Sequence, residues 1–397
     1  MLQRLRYLEK IRPYYDNSRI KLITGIRQAG KSVLMGQMRD EMEAQGKKVV
    51  YLDFADAAVA RECMDARKIP GYIGSRWKRR GKKRKCYVFL DSVQKIPNWS
   101  RACQLLLLSK MSVFVAGNGA PLLTPEAEKD LAGNYIEFRV RPFVYKELRD
   151  YAAELGREAS VKDYVQYGGF PKRIEFDDKE EMLRYLGGVG ADAVRDAVVG
   201  CKIQKEAAFQ SMADFLMTSN GQTLSANAVH ARLKEEGLVC SINTVMKYMG
   251  CLETACIIHR LPFYSARAGG KLESRAKLYD EDVALNTARQ PQDADFTRNM
   301  ENVVYNELVN MGYKLFAYTH KSGIVDFLAE KGGREYFVQV AESVSKKKER
   351  EKEFRLLNKL ENSRKKILIT NDEKKYSTSV VEHIRLKEFL MMEDLQG

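Results

Sequence analysis

Apolar residues fall along the first third of this chain in short runs, with amphipathic stretches between them. Ile20 to Thr24, Lys48-Val49-Val50-Tyr51-Leu52-Asp53, Cys86-Tyr87-Val88-Phe89-Leu90-Asp91, Met111 to Ala116 and Tyr135 to Val140 each read as a buried strand. After the first run, Val33, Leu34, Met38 and Met42 recur at helical spacing. Strands alternating with helices predict a parallel sheet covered on both faces, with any ligand at the carboxyl ends of the strands.

The pattern changes beyond residue 200. Phe209, Met212, Phe215 and Leu216 form a helical stripe. Ser225 is placed to cap a second helix, which carries Ala228, Val229 and Leu233 and stops at Gly237. Ser241 to Val245 opens a third helix running through Met249 and Leu252, and Ile257 to Leu261 with Lys277 to Asp280 read as a ribbon. That order predicts a winged helix whose third helix would offer Asn243, Thr244, Lys247 and Tyr248 to a major groove. Only Lys247 is cationic on that helix, so a protein-packing role competes with DNA reading. Last come an amphipathic helix (Met300 to Val309) and strands at Lys314–Tyr318, Ile324–Glu330, Tyr336–Ala341 and Lys366–Thr370. The expected organisation is a core over 1–150, a helical connector over 151–200, a winged helix over 201–290 and an α/β domain over 291–397.

With 397 residues, 45% of them hydrophobic, the chain is long enough for two or three domains with a sizeable core. No run approaches the ~18–20 apolar residues of a membrane span, and the first residues carry no signal-peptide pattern, so a cytoplasmic location is expected. Cys63, Cys86, Cys103, Cys201, Cys240, Cys251 and Cys256 form no C-x-x-C pair and no cluster with the four histidines. They read as reduced thiols without a zinc site. The net charge of +14 favours an anionic partner, with nucleic acid first and a membrane surface second. Between Arg76 and Lys85, eight of ten residues are basic. That run is either a solvated loop or a phosphate-backbone contact with Trp77 as a stacking ring. A protein partner is the alternative to nucleic acid, and nothing in the pattern fixes an oligomeric state.

The sharpest chemical signal is Gly25-Ile26-Arg27-Gln28-Ala29-Gly30-Lys31-Ser32, a G-x-x-x-x-G-K-S loop lying between the first strand and first helix. In such a loop, backbone N–H groups close around the α/β-phosphates, Lys31 reaches the β/γ-phosphates and Ser32 offers its hydroxyl to Mg²⁺. Val33 continues the helix N-terminus, whose dipole adds to the anion site. The expected ligand is therefore ATP with Mg²⁺. Asp91 ends a strand in the Walker B manner, a carboxylate that supports the Mg²⁺ shell. Asn118 follows another strand and is a candidate γ-phosphate sensor. Lys31, Asp91 and Asn118 form the candidate catalytic set, Gly25 through Val33 the nucleotide cradle, and Ser32 with Asp91 the metal set.

Four segments together resemble one family. They are Gly25 to Ser32, Leu90-Asp91-Ser92-Val93-Gln94-Lys95-Ile96-Pro97-Asn98-Trp99, Pro142-Phe143-Val144-Tyr145-Lys146-Glu147-Leu148 and Tyr167-Gly168-Gly169-Phe170-Pro171. The chain is similar over nearly its whole length to bacterial and archaeal AAA-type ATPases that carry a C-terminal domain of unknown function. The resemblance implies an AAA-like P-loop core, a winged helix and a restriction-endonuclease-like C-terminal fold. Two departures matter. Ser92 stands where the family carries a glutamate that polarises the attacking water, a contribution of roughly 10²–10⁴ in rate. Asn134 stands where the family tends to carry arginine, and if that arginine contacts phosphate, its charge is missing here too. Binding is expected intact and hydrolysis slow or lost, unless Asp53, Glu126 or Glu128 supplies a base.

The same resemblance places a nuclease-type Asp at Asp326, followed by Glu-x-Lys on the next strand. Here that position reads Gln339-Val340-Ala341. Glutamine is a weaker ligand for a hard cation, and Ala341 has no amine to support a water. The alternative to the ATPase reading is a DNA-binding regulator, with winged helix and basic surface, in which ATP is a structural ligand, and a metal-dependent nuclease is the least favoured reading. Glu301 and Glu307 read as surface acids of the preceding helix.

Overall fold

A computed structural model describes residues 2–76, 85–118, 122, 124–265, 267, 270–361 and 363–396. Within these residues the chain falls into two compact units. One comprises 1–142, 191–204 and 254–256, and the other comprises 143–190, 205–253 and 257–397. The basic run is described only at its two ends, so Trp77 and its neighbours lie outside the described residues.

The first unit is built on a five-stranded sheet in the order β2-β3-β4-β1-β5. The strands are β1 (Ile20–Thr24), β2 (Lys48–Asp53), β3 (Cys86–Asp91), β4 (Ser112–Ala116) and β5 (Tyr135–Arg139). All four pairings are parallel. β1, β3 and β4 are buried at every residue, as expected of central strands covered on both faces. The Phe89 and Phe114 rings stack across β3 and β4 with centroids 4.4 Å apart. Lys21 is the exception within β1. Its Nζ escapes to the strand's amino end, where it donates to Ser112 Oγ at 2.7 Å and to the Arg19 carbonyl at 3.0 Å. Burial pushes its pKa down to about 7.

The second unit is organised by one eight-stranded sheet, ordered β13-β12-β11-β10-β9-β7-β8-β6. Its strands are β6 (Thr223–Leu224), β7 (Ile258–Ser265), β8 (Gly270–Asp280), β9 (Lys314–His320), β10 (Gly323–Lys331), β11 (Arg334–Ala341), β12 (Lys365–Thr370) and β13 (Val381–Arg385). Three helices, Glu206–Met217, Ala226–Glu235 and Ile242–Thr254, accompany the antiparallel set β6, β7 and β8. Ser225 caps the second of them by accepting from Ala228 N. The ribbon β7–β8 is not a free wing. β7 runs parallel to β9 through Phe263↔Ala317, Tyr264↔Tyr318 and Ser265↔Thr319, so the sheet continues across the boundary expected at residue 290.

The Tyr-Gly-Gly-Phe-Pro string finds its reason in this unit. Gly168 has φ +69°, and a β-carbon there would lie 1.6 Å from Asp282 Oδ1. Asp282 uses Oδ2 to accept from Gly169 N at 2.8 Å and Oδ1 to accept from Ala284 N at 2.9 Å. The glycines let the backbone close onto a buried carboxylate, which no side chain would allow.

Candidate nucleotide site

β1 delivers the chain directly into Gly25. There φ is +135°, and a β-carbon would sit 2.0 Å from the Val140 carbonyl oxygen, so only glycine lets the loop leave the sheet at this point. Gln28 and Gly30 also have positive φ, and Gly30 stands in the left-handed region as the N-cap of the helix Lys31–Ala44. Leu34 N donates to Gly30 O at 3.0 Å, the first bond of that helix. The N–H groups of Lys31, Ser32 and Val33 precede this bond and have no acceptor within the helix. Such donors at the positive end of a helix dipole make an anion site.

Each cradle residue has a definite place. Ile26 and Ala29 are buried, Arg27 is half-buried, and Gln28, Ser32 and Val33 are exposed. Lys31 is 7% exposed and folds back over the loop, donating from Nζ to the carbonyls of Gly25 at 3.0 Å and Ile26 at 2.8 Å. Burial pushes its pKa down to about 8, while the charges of Asp91 and Asp196 favour the ammonium form. Behind the loop, the buried Arg4 guanidinium donates to the Ala29 carbonyl at 3.0 Å and to the Arg141 carbonyl at 3.1 Å. Arg4 therefore ties the loop to the segment after β5.

Asp91 closes β3 and is almost fully buried. It lies beside Asp53 in the parallel register, and one of its oxygens accepts from Tyr51 Oη at 2.8 Å. Ser92 follows with φ +59°, half-buried. Asn118 stands just after β4 and donates from Nδ2 to Asp196 Oδ2 at 3.1 Å. That oxygen is also 3.6 Å from the Arg27 guanidinium, and Arg27 Nε is 3.6 Å from Asp192 Oδ2. Asp192 and Asp196 sit one turn apart on the helix Lys179–Gly200. Burial raises the Asp196 pKa, and Arg27 opposes the rise.

The other acids considered as bases are engaged otherwise. Asp53 Oδ1 accepts from Ala55 N at 2.8 Å, and Glu126 is an exposed acid 4.0 Å from Lys202. Glu128 is exposed in the first turn of its helix. Asn134 needs a correction. Its carbonyl accepts from Ile20 N at 2.9 Å, and Ile20 pairs with Tyr135 at the amino ends of β1 and β5. The loop Gly25–Ser32 lies at the opposite ends, about 15 Å away along five strand residues. Asparagine at 134 therefore removes no charge from the phosphate cradle. Arg4, Tyr51, Asp192 and Asp196 were not singled out by motif spacing. Only the i, i+4 spacing of Asp192 and Asp196 on their helix left a readable signal.

Residues 17–149 match the family model described as an AAA domain. With the loop and the parallel sheet in place, this settles the first unit's class. The N-terminal region is an AAA-type P-loop ATPase domain. Two further models, both for domains of unknown function (DUF8612 and DUF4143), match residues 158–295 and 296–389. The chain is 28% identical over 380 residues to an uncharacterized protein of Haemophilus influenzae, covering 93% of each. It is 26% identical to one of Methanocaldococcus jannaschii, covering 90% of this chain and 83% of the relative. Among solved structures it is similar to AMPPCP-bound DnaA from Aquifex aeolicus, with a TM-score of 0.33 and 14% identity over 63% of this chain and 87% of that one. A signal transduction ATPase with a tetratricopeptide repeat sensor from Pyrococcus horikoshii aligns at TM-score 0.28 and 11% identity, over 78% of this chain and 46% of that one. Among the described residues no helix is long and apolar enough to cross a membrane.

Proposed function

We propose that the AAA domain binds Mg·ATP at Gly25–Ser32 and turns it over slowly, so that nucleotide state rather than rapid hydrolysis sets what the protein does. The observation that carries this reading is the convergence on one loop of a left-handed Gly30, a first helical turn whose N–H groups have no acceptor within the helix and a buried Lys31 whose ammonium Asp91 favours. The donor set fits a nucleotide. The N–H groups of Lys31, Ser32 and Val33 with the Lys31 amine would hold phosphate oxygens, and Asp91 with the Ser32 hydroxyl would hold Mg²⁺, a hard cation that prefers oxygen ligands. Bound Mg²⁺ would neutralise charge building on the phosphates. Tyr51 fixes the Asp91 carboxylate by donating to it, and Asn118 would exchange its Asp196 partner for a phosphate oxygen. Ser92 cannot act as a general base near neutral pH, which supports slow turnover.

Titrating Mg·ATP calorimetrically into wild type and Lys31→Ala tests the reading. A loss of at least tenfold in affinity is expected, and equal affinities would overturn it.

The segment 205–280 fits a winged helix used against protein more than DNA. On the third helix Ile242, Asn243, Met246 and Lys247 are exposed, a face with two apolar side chains and one cation. Tyr248, expected in the groove-facing set, is buried and accepts from Lys205 N at 3.2 Å. In the C-terminal segment, Gln339 accepts from Asp326 N at 3.3 Å where a nuclease would hold metal, which supports an inactive nuclease-like fold.

A further inference from the structure

Three charged side chains from three elements of the second unit meet beneath its surface. Lys277 Nζ, on β8, lies 2.6 Å from Glu301 Oε1 and 2.7 Å from Asp326 Oδ1. Glu301 belongs to the helix Phe296–Asn310 and Asp326 to β10. The side chains are 9%, 13% and 10% exposed, respectively, so neither Glu301 nor Glu307, which is 4% exposed, is the surface acid its helix suggested. Tyr279 Oη donates to the same Glu301 oxygen at 2.5 Å. Asp326 Oδ2 accepts from Val340 N at 2.9 Å, which aims its other oxygen at the lysine. Gln339 sits against the Asp326 backbone and donates from Nε2 to Glu353 Oε2 at 3.1 Å.

Two carboxylates so held must share a cation or a proton, because like charges this close in a dry site do not both ionise alone. Burial by itself would lower the Lys277 pKa, but Asp326 and Glu301 carry it above its ordinary value. Burial and the Asp326 charge push Glu301 up to about 7. Distances of 2.6 to 2.7 Å on both sides are those of charge-assisted bonds, only slightly longer than the ~2.0–2.6 Å at which Mg²⁺ or Ca²⁺ holds the same oxygens. The ammonium therefore occupies the point where a divalent ion would bring these oxygens together. Lysine and carboxylates lie on opposite sides of the seam between the two matched domains of unknown function, so no motif within either one contains the centre. Gln339, which accepts from the Asp326 backbone, and Glu353 also line a cleft of about 660 Å³.

We propose that Lys277 is the resident cation of this centre, standing in the place of a divalent metal ion, and that its removal opens a metal site at Glu301 and Asp326. The wild-type protein is thereby closed to metal here, whatever the first unit does with nucleotide.

The test uses the full chain without nucleotide and Mn²⁺ as probe, read by electron paramagnetic resonance and by thermal melting. Wild type should bind no Mn²⁺ that Asp326→Asn abolishes. Lys277→Met should gain one Mn²⁺, with a melting rise of roughly 5 °C at saturating metal, and Lys277→Met/Asp326→Asn should lose both. A folded Lys277→Met that takes up no Mn²⁺ overturns the proposal, as does a wild-type site that disappears in Asp326→Asn. If Lys277→Met unfolds in metal-free buffer, recovery of the fold with Mn²⁺ supports the proposal. No recovery, while Lys277→Met/Glu301→Gln/Asp326→Asn folds, overturns it. If neither variant folds, the wild-type comparison with Asp326→Asn decides.

Discussion

Asn118 Nδ2 and Asp196 Oδ2 are 3.1 Å apart, and the same carboxylate oxygen holds Arg27 of the phosphate loop at 3.6 Å. On the proposed reading, this acid holds two groups beside the phosphate loop and adds a negative charge where more would have to enter. Removing that charge should tighten binding. For Asp196→Asn the Mg·ATP dissociation constant should fall roughly three- to tenfold, equivalent to about 1 kcal/mol of relieved repulsion at intermediate dielectric. Calorimetric titration checks it, and unchanged or weaker binding would show that the contact does not oppose nucleotide.

On the same reading, Ser92 bears on a different step, hydrolysis. Ser92→Glu should leave Mg·ATP affinity within a fewfold of wild type and raise steady-state turnover by at least about tenfold, towards the 10²–10⁴ that a positioned base supplies. Its left-handed backbone, φ +59°, costs a non-glycine residue a little whichever side chain it carries, so the substitution adds no new strain. Phosphate release from both proteins, with Lys31→Ala as the blank, is the measurement.

Lys31 should make binding sensitive to pH. Its amine titrates near 8 because burial favours the neutral form, whereas phosphate requires the ammonium. Below that pH the site is ready charged. Above it, each binding event must first take up a proton, so affinity should fall up to tenfold per pH unit between about 8 and 10. Titrations in buffers of different ionisation heat would reveal that proton, and a flat profile over this range would contradict the assignment.

Gly168→Ala tests the second unit's closure on Asp282. A β-carbon 1.6 Å from Oδ1 cannot be accommodated by rotating an exposed side chain, because the carboxylate is buried and bonded to two backbone N–H groups. The variant should lose at least about 3 kcal/mol in denaturant unfolding of this unit, beyond the usual range for one substitution. A loss under about 1 kcal/mol would mean the contact relaxes freely.

Much of the first unit was legible because its physics is local. Runs such as Cys86–Asp91 are apolar throughout because central parallel strands are covered twice, and Gly25–Ser32 must follow a strand to put its donors at a helix start. Lys21 did not disturb the reading of β1, since a long side chain can carry its charge to the strand's end. What the sequence hid were partners far along the chain. Arg4 reaches Ala29, Tyr51 reaches Asp91 and Asp196 reaches Asn118, and none of these distances leaves a period to read. Asn134 misled for a related reason, since a motif match gives a residue's neighbours but not the end of the sheet on which it sits. Glu301 looked solvent-facing because its counter-charge, Lys277, comes from a strand on the other side of the expected domain boundary.

The pairing of β7 with β9 gives the seam at residues 295 and 296 an unusual property. Severed there, the polypeptide would yield one fragment ending in a raw β7 edge and another beginning with a raw β9 edge, each a template for the wrong neighbour. The two pieces are better regarded as halves of one product. Made separately they should stick indiscriminately, and made together they should heal.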